Sequence, residues 1–357
     1  MAFQGKKLLG LVLFSTVALA SDDPYQAGFA QWAKQLQAQG DTTMAAAAES
    51  YVQEVQQAWQ RHGYIGPKVP LPEPVKVVDG VYTIVGSLIW HNPANYGFNN
   101  NLSFAIFADG VLVYNAGPNY AVAASAHDII RRYTDKPVKW VVMENNQGHA
   151  MLGAGYWLKQ GAKLYSAEKA ARQFGEAFDF IKREWSTRVG EEITLPAENV
   201  ADQFITFNGE MVLDVGGGEK VYLWEETGHT PSATSVWVPS RKVFFAGDLL
   251  FNERMLALFS YTDSLAWADA IRAVVKKLPP DTIVIPGHGT PTDLQTAVEQ
   301  TLGYLEFLHE AVQKVVDAGG SIEDAQAIDQ SRFKDRPVFE QTHKRNAAHV
   351  FRELGGL

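Results

Sequence analysis

Three histidines and one aspartate stand directly beside glycine at the ends of apolar runs: His149 in "QGHAMLG", His229 in "EETGHTPSAT", His288 in "IPGHGTP" and Asp248 in "VFFAGDLLF". Open sheets present ligands at strand ends, and a neighbouring glycine lets the backbone turn sharply and aim a side chain into a shared pocket. One such element would be turn chemistry. Four together point to two or three imidazoles and a carboxylate around a divalent cation, a set that suits zinc or another transition metal. The chain has no cysteine, so a metal site must be built from His, Asp, Glu, Asn and water. His62, His127, His309, His343 and His349 fall in predicted helices or at their ends, where a solvated or capping histidine is the ordinary case.

These residues need a sheet to carry them. Residues 75 onward begin with "VKVVDGVYTIVGSL" and "NLSFAIFADGVLVYNAG", β-rich runs turned at Asp79-Gly80 and Asp109-Gly110, both hairpin signals. "AVAASAHDIIRRYT" reads as a helix, "VKWVVMEN" as a buried strand, "AMLGAGYWLKQG" as a helix and "AKLYSA" as a strand, which is βαβα alternation. A longer helix, "AEKAARQFGEAFDFIKREW", precedes a second β-rich half that includes "VYLWEE", "TSVWVPSRKVFFAG" and "DTIVIPG". Helices close the chain. The pattern predicts an α/β fold with a pair of sheets between helical layers.

Upstream, residues 25–63 are rich in Ala and Gln, with Tyr51, Val52, Val55 and Trp59 at helical spacing and a break near Gly40-Asp41. The prolines of "GPKVPLPEPVK" mark a linker. Residues 1–20 place Lys6 and Lys7 before an apolar run and end in Ala18-Leu19-Ala20, which reads as a signal peptide cleaved after Ala20. The expected organisation is a signal peptide over 1–20, a helical extension and linker over 21–74, and one large domain with C-terminal helices over 75–357. The expected location is periplasmic or secreted, with no stable membrane insertion after cleavage. Acidic residues outnumber basic ones, 40 against 31, for a net charge of −9, and no Lys/Arg run could track a phosphate backbone. Nucleic acid is therefore not an expected partner. A small-molecule substrate is, and the sequence leaves the oligomeric state open.

"GHTPSATSVWVP", "VFFAGDLLF" and "IPGHGTP", in that order and spacing, resemble the downstream motifs of the metallo-β-lactamase-fold hydrolases. The early hairpin with its Asn115-Ala116-Gly117 turn resembles that family's Asp-Thr-Gly turn, and "ENNQGH" (residues 144–149) lies where the family has HxHxDH. Laid residue by residue, Glu144 and Asn146 replace the two leading histidines, Gly148 replaces the aspartate, and His149 keeps the last. The resemblance covers about residues 75–300. It implies an αββα sandwich, with the position of His229 serving a first metal, those of His149 and His288 a second, and that of Asp248 bridging both.

The resemblance implies a metal-dependent hydrolase acting with a metal-bound water on an ester, lactone, amide or related substrate. Metal ligands are expected from His149, Asp248 and His288, with Glu144 and His229 holding a second ion or steering the water. The cofactor is expected to be zinc, one or two ions, with iron or manganese as substitutes. Glu144 stands in as base, Asn146 donates to the developing oxyanion, and Tyr96, Phe98 and Asn99 in "HNPANYGFNNN" touch substrate. Phe259, Tyr261 and Trp267 wall an apolar pocket. The alternatives are a metal-free or repurposed binding protein on the same scaffold, or a redox protein using non-haem iron.

Overall fold

The computed structural model describes residues 29–48 and 68–356. The expected signal peptide and the helix through Trp59 lie outside the described residues. Two sheets form the centre. The first has seven strands in sequence order: β1 (Val75–Val78), β2 (Val81–Ile84), β3 (Leu102–Ile106), β4 (Val111–Tyr114), β5 (Val138–Val142), β6 (Lys163–Ala167) and β7 (Phe204–Phe207). β1 to β4 pair antiparallel, and β4 to β7 pair parallel. The second sheet comprises β8 (Glu210–Asp214), β9 (Lys220–Glu226), β10 (Ala233–Val238), β11 (Val243–Phe251), β12 (Ile283–His288) and β13 (Thr292–Asp293), in order β13-β12-β11-β10-β9-β8. Only β11 and β12 of this sheet run parallel.

β11 reads VFFAGDLLF and is buried at every position, as expected where both faces of a strand are covered. Between the sheets, the Tyr114 hydroxyl donates to the Thr234 carbonyl at 2.6 Å, and its ring lies 5.6 Å from that of Phe245. The outer layers are helical. Helices Tyr120–Arg131 and Glu168–Val189 belong to the first half, and Ser264–Val275, Leu294–Asp317 and Phe339–Glu353 to the second. Three of their starts are written locally, since Asn119, Asp263 and Asp293 each accept an N–H of the first turn. The layering is the αββα arrangement expected from the sequence.

Ahead of the sheets, the break near Gly40-Asp41 is present. Asp41 accepts N–H groups from Met44 and Leu88, tying helix Phe29–Ala38 to the main body through a buried carboxylate. Among the described residues, no helix is long and apolar enough to cross a membrane.

Glu226, at the end of β9, gives a pH signature to the packing. Burial pushes its carboxyl up to about 7, against the weaker opposing pull of the Ser235 hydroxyl and Lys277. A folded pKa raised above the unfolded value stabilises the fold fully in acid, and that contribution is lost as pH rises through 7. Glu226→Gln should match the parent protein in urea denaturation at pH 4 and be more stable by about 2–3 kcal/mol at pH 8. Equal midpoints for the two proteins at pH 8 would refute this.

Candidate metal centre

The site forms where β5, β11 and β12 end on the same edge of the sandwich. Asp248 lies inside β11, two thirds of the way along it. Gly247, before it, has φ +55°, and a Cβ there would come within 2.0 Å of Glu144 Oε2. Only glycine lets the two strands approach closely enough for the Asp248 N–H to reach that oxygen, at 2.9 Å.

Around the Asp248 carboxylate stand five donors. Oδ2 faces His229 Nε2 at 3.2 Å, His149 Nε2 at 3.5 Å and Asn145 Nδ2 at 3.2 Å. Oδ1 faces His288 Nε2 at 3.3 Å and Asn100 Nδ2 at 3.2 Å. None of these reaches the roughly 2.7–2.9 Å of a charge-assisted hydrogen bond. The two amide contacts are ordinary hydrogen bonds, and the three imidazole distances lie near the roughly 3.3 Å that separates two ligands bound tetrahedrally at about 2.0 Å from zinc. Glu144 completes the cluster, with Oε1 2.8 Å from His149 Nε2 and accepting from Asn100 Nδ2 at 2.8 Å. Ligand atoms of Glu144, His149 and Asp248 lie within 4.8 Å of one another, and all three residues are buried.

Electrostatics separates the members. Burial alone would raise the Asp248 carboxyl, but His288 and His229 outweigh it and hold the group well below the usual carboxylate range. Burial, then the charge of Asp248, raises Glu144 against the opposing pull of His149. His149 is raised despite burial, because Glu144 and Asp248 favour its charged form. His288 is pushed down to about 3 by burial and then by Arg254, against the opposing pull of Asp248. The Nδ1 atoms of His229 and His288 are buried with no protein partner.

His149, His229, Asp248, His288 and Glu144 thus come together, and two other expectations are corrected. Glu144 sits beside His149 and Asp248 rather than taking up the place next to His229. Asn146 donates to Gln173 Oε1 at 3.3 Å, away from the cluster, in the bend that follows β5. Its neighbour Asn145 makes the contact to Asp248. Tyr96 and Phe98 are buried core residues, and Asn99 is buried beside them. Asn100 is the residue of that loop that reaches the cluster. Trp267 is buried, donates to the Leu249 carbonyl and backs the His229 ring at 4.8 Å. Phe259 stacks with Tyr261, whose hydroxyl accepts from Gln147 Nε2 at 2.8 Å, and Gln147 lies 3.5 Å from His229 Nε2. Asn100, Asn145 and Gln147 carried no assignment from sequence. The only local signal for them was a density of Asn and Gln flanking the strand ends.

The family model of the metallo-beta-lactamase superfamily matches residues 149–288. Among solved structures, the chain is similar to a metallo-beta-lactamase from Pontibacter korlensis at 19% identity, covering 66% of this chain and 98% of that one, with a TM-score of 0.51. It is also similar to a metallo-beta-lactamase of Pseudomonas aeruginosa in its mono-zinc form, at 20% identity over 68% of this chain and 97% of that one, TM-score 0.52. A stereoselective inverting sec-alkylsulfatase from a Pseudomonas species matches at 16% identity and TM-score 0.59, over 80% of this chain and 50% of that one. The chain spans about half of that sulfatase. At these identities the likeness establishes the fold.

Proposed function

From a chain that the metallo-beta-lactamase superfamily model matches over residues 149–288, we propose a metal-dependent hydrolase acting on an ester, lactone, amide or related small molecule. One observation carries the proposal: ligand atoms of Glu144, His149 and Asp248 lie within 4.8 Å of one another in a buried cluster, with His229 and His288 each facing an Asp248 oxygen. Three imidazoles and two carboxylates, with no thiol, suit zinc best and accept iron or manganese. Glu144, His149 and Asp248 would form the nucleus of the site, and His229 and His288 flank it. When bound, such an ion supplies Lewis acidity and lowers the pKa of a water from about 15.7 toward roughly 7.

The chain's own residues do the rest. Asp248 stays anionic and is oriented on both oxygens by Asn100 and Asn145. Glu144, fixed by the Asp248 N–H, has its carboxyl raised by burial and by the Asp248 charge, which favours a role in proton transfer. Gln147 bridges His229 and the exposed Tyr261, the polar wall that substrate meets first. We extend the proposal to location, since Lys6, Lys7 and the Ala18-Leu19-Ala20 site fit export.

A competing reading, a binding protein without turnover, draws on the 2.8 Å Glu144–His149 contact, which satisfies both groups without an ion. Purified protein incubated with zinc, iron or manganese salts and then dialysed separates the two. The hydrolase should retain about one equivalent of metal or more and cleave members of an ester and lactone panel, with the activity lost in His288→Ala. Metal below about a tenth of an equivalent, or turnover indifferent to His288→Ala, would favour the binding protein.

A further inference from the structure

Beside the metal centre, two cations stand without an anion. Arg254 follows β11, is only 2% exposed, donates from Nε to the Leu88 carbonyl at 2.8 Å and leaves Nη2 buried with no partner. Its guanidinium lies over the Trp90 ring, 4.8 Å from the centroid. Arg345, from helix Phe339–Glu353, lies 5.7 Å from the same ring and 5.2 Å from that of Phe259. Phe259 in turn is 6.2 Å from the His229 ring. Among the described residues, neither arginine has a carboxylate within 4.0 Å.

A buried guanidinium with an unused donor is costly, and two like charges over one ring repel each other. Arg254 also lies close enough to the centre that its charge acts on His149 and His288 and is itself favoured by Asp248. The Arg345 charge acts on Tyr261. Two rim acids are already engaged: Glu184 with Arg188 at 2.8 Å and facing His91 at 3.7 Å, and Glu253 with the Thr290 hydroxyl at 2.6 Å. Outside the Asp248–Glu144 cluster, the charges against Trp90 and Phe259 are therefore cationic, next to a wall formed by Trp90, Phe259 and Tyr261. Guanidinium forks match planar and tetrahedral oxyanions, and the rings supply apolar contact.

We infer that Arg254 and Arg345, both held against the Trp90 ring, form an oxyanion-binding subsite that selects substrates carrying one carboxylate, sulfate or phosphate group on an aromatic or apolar body. The inference rests on the hydrolase reading for the word substrate, and on the geometry alone for binding. Arg254 lies within the matched residues 149–288, and Trp90 and Arg345 lie outside them.

Isothermal titration of the full-length protein, as purified and after EDTA treatment, tests it with three probes of similar shape: 4-nitrobenzoate, 4-nitrophenyl sulfate and neutral 4-nitroacetophenone. In EDTA, where metal–anion contacts are removed, the two anions should bind about tenfold or more tighter than the ketone. Arg345→Gln, a change at an exposed helix position, should erase most of that preference without weakening the ketone, and Arg254→Lys should reduce it. Equal affinity for anions and ketone in the parent protein, or a preference unchanged in both variants, overturns the subsite. Whether the two anions differ from each other identifies the preferred oxyanion. Because the readout is metal-free binding, loss of the subsite with metal uptake and turnover intact would leave the hydrolase reading standing, and the converse result would leave the subsite standing.

Discussion

Asp248→Asn should leave a folded protein that no longer retains metal and no longer turns over substrate. The substitution keeps the volume of a buried side chain inside β11, so circular dichroism and the urea midpoint should change little beyond about 1–2 kcal/mol. The electrostatics changes completely. Asp248 presents two anionic oxygens to three imidazoles and two amides, and its low pKa keeps it charged at any working pH. An asparagine offers one neutral oxygen and an NH2 group that competes with the same Nε2 atoms as a donor. Retained metal should drop below about a tenth of an equivalent, because affinity depends on deprotonated, anionic ligands. Loss of a Lewis acid removes several kcal/mol of transition-state stabilisation, so kcat/KM should decrease by roughly 10³-fold, about 4 kcal/mol. Metal analysis by mass spectrometry and a panel assay read both effects. A variant that keeps metal and rate would show that the ion sits elsewhere.

That residue was legible from sequence, as were His149, His229 and His288, for a local reason. A glycine beside a lone polar residue at the end of an apolar run is a departure from strand composition, and the sheets place all four departures at one edge. The hairpin turns at Asp79-Gly80 and Asp109-Gly110 were legible in the same way, and β1 to β4 pair through them. What sequence hid depends on distant register. Asn100 reaches Asp248 across 148 positions and Arg345 meets Trp90 from the last helix; no local pattern marks either. Asn145 and Asn146 are turned apart by the bend that follows β5, and strand residues 138–142 end before the choice is made. The stretch after His149, expected as one helix, splits into Gly148–Met151 and Ala154–Lys159. Gly153 between them donates its N–H to the Gly117 carbonyl at 2.8 Å, another long-range contact.

Restoring the family's aspartate should fail. Gly148 is the one position of the upstream motif with no ligand atom, and Gly148→Asp looks like a repair. The structure shows why it is not: a Cβ at Gly148 would lie 2.2 Å from Trp185 Nε1 and 2.5 Å from its Cε2. Trp185 is itself wedged in place, 4% exposed, with His91 stacked on it at 4.1 Å and 11° between the planes. The indole occupies the space that an aspartate side chain would need, so an aspartate at 148 and this packing exclude each other. Gly148→Asp must displace the indole and bury an acid. Overpacking costs about 1–3 kcal/mol and an unpaired buried polar group a further 1–3, so thermal unfolding should show about 3–5 kcal/mol of destabilisation with no added metal. Gly148→Asp combined with Trp185→Leu, which opens the space, should recover part of the packing term relative to Gly148→Asp in the parent background. A Gly148→Asp protein with unchanged stability and extra bound zinc would mean that the indole yields freely, and that the divergent motif is separable from the helix that carries Trp185.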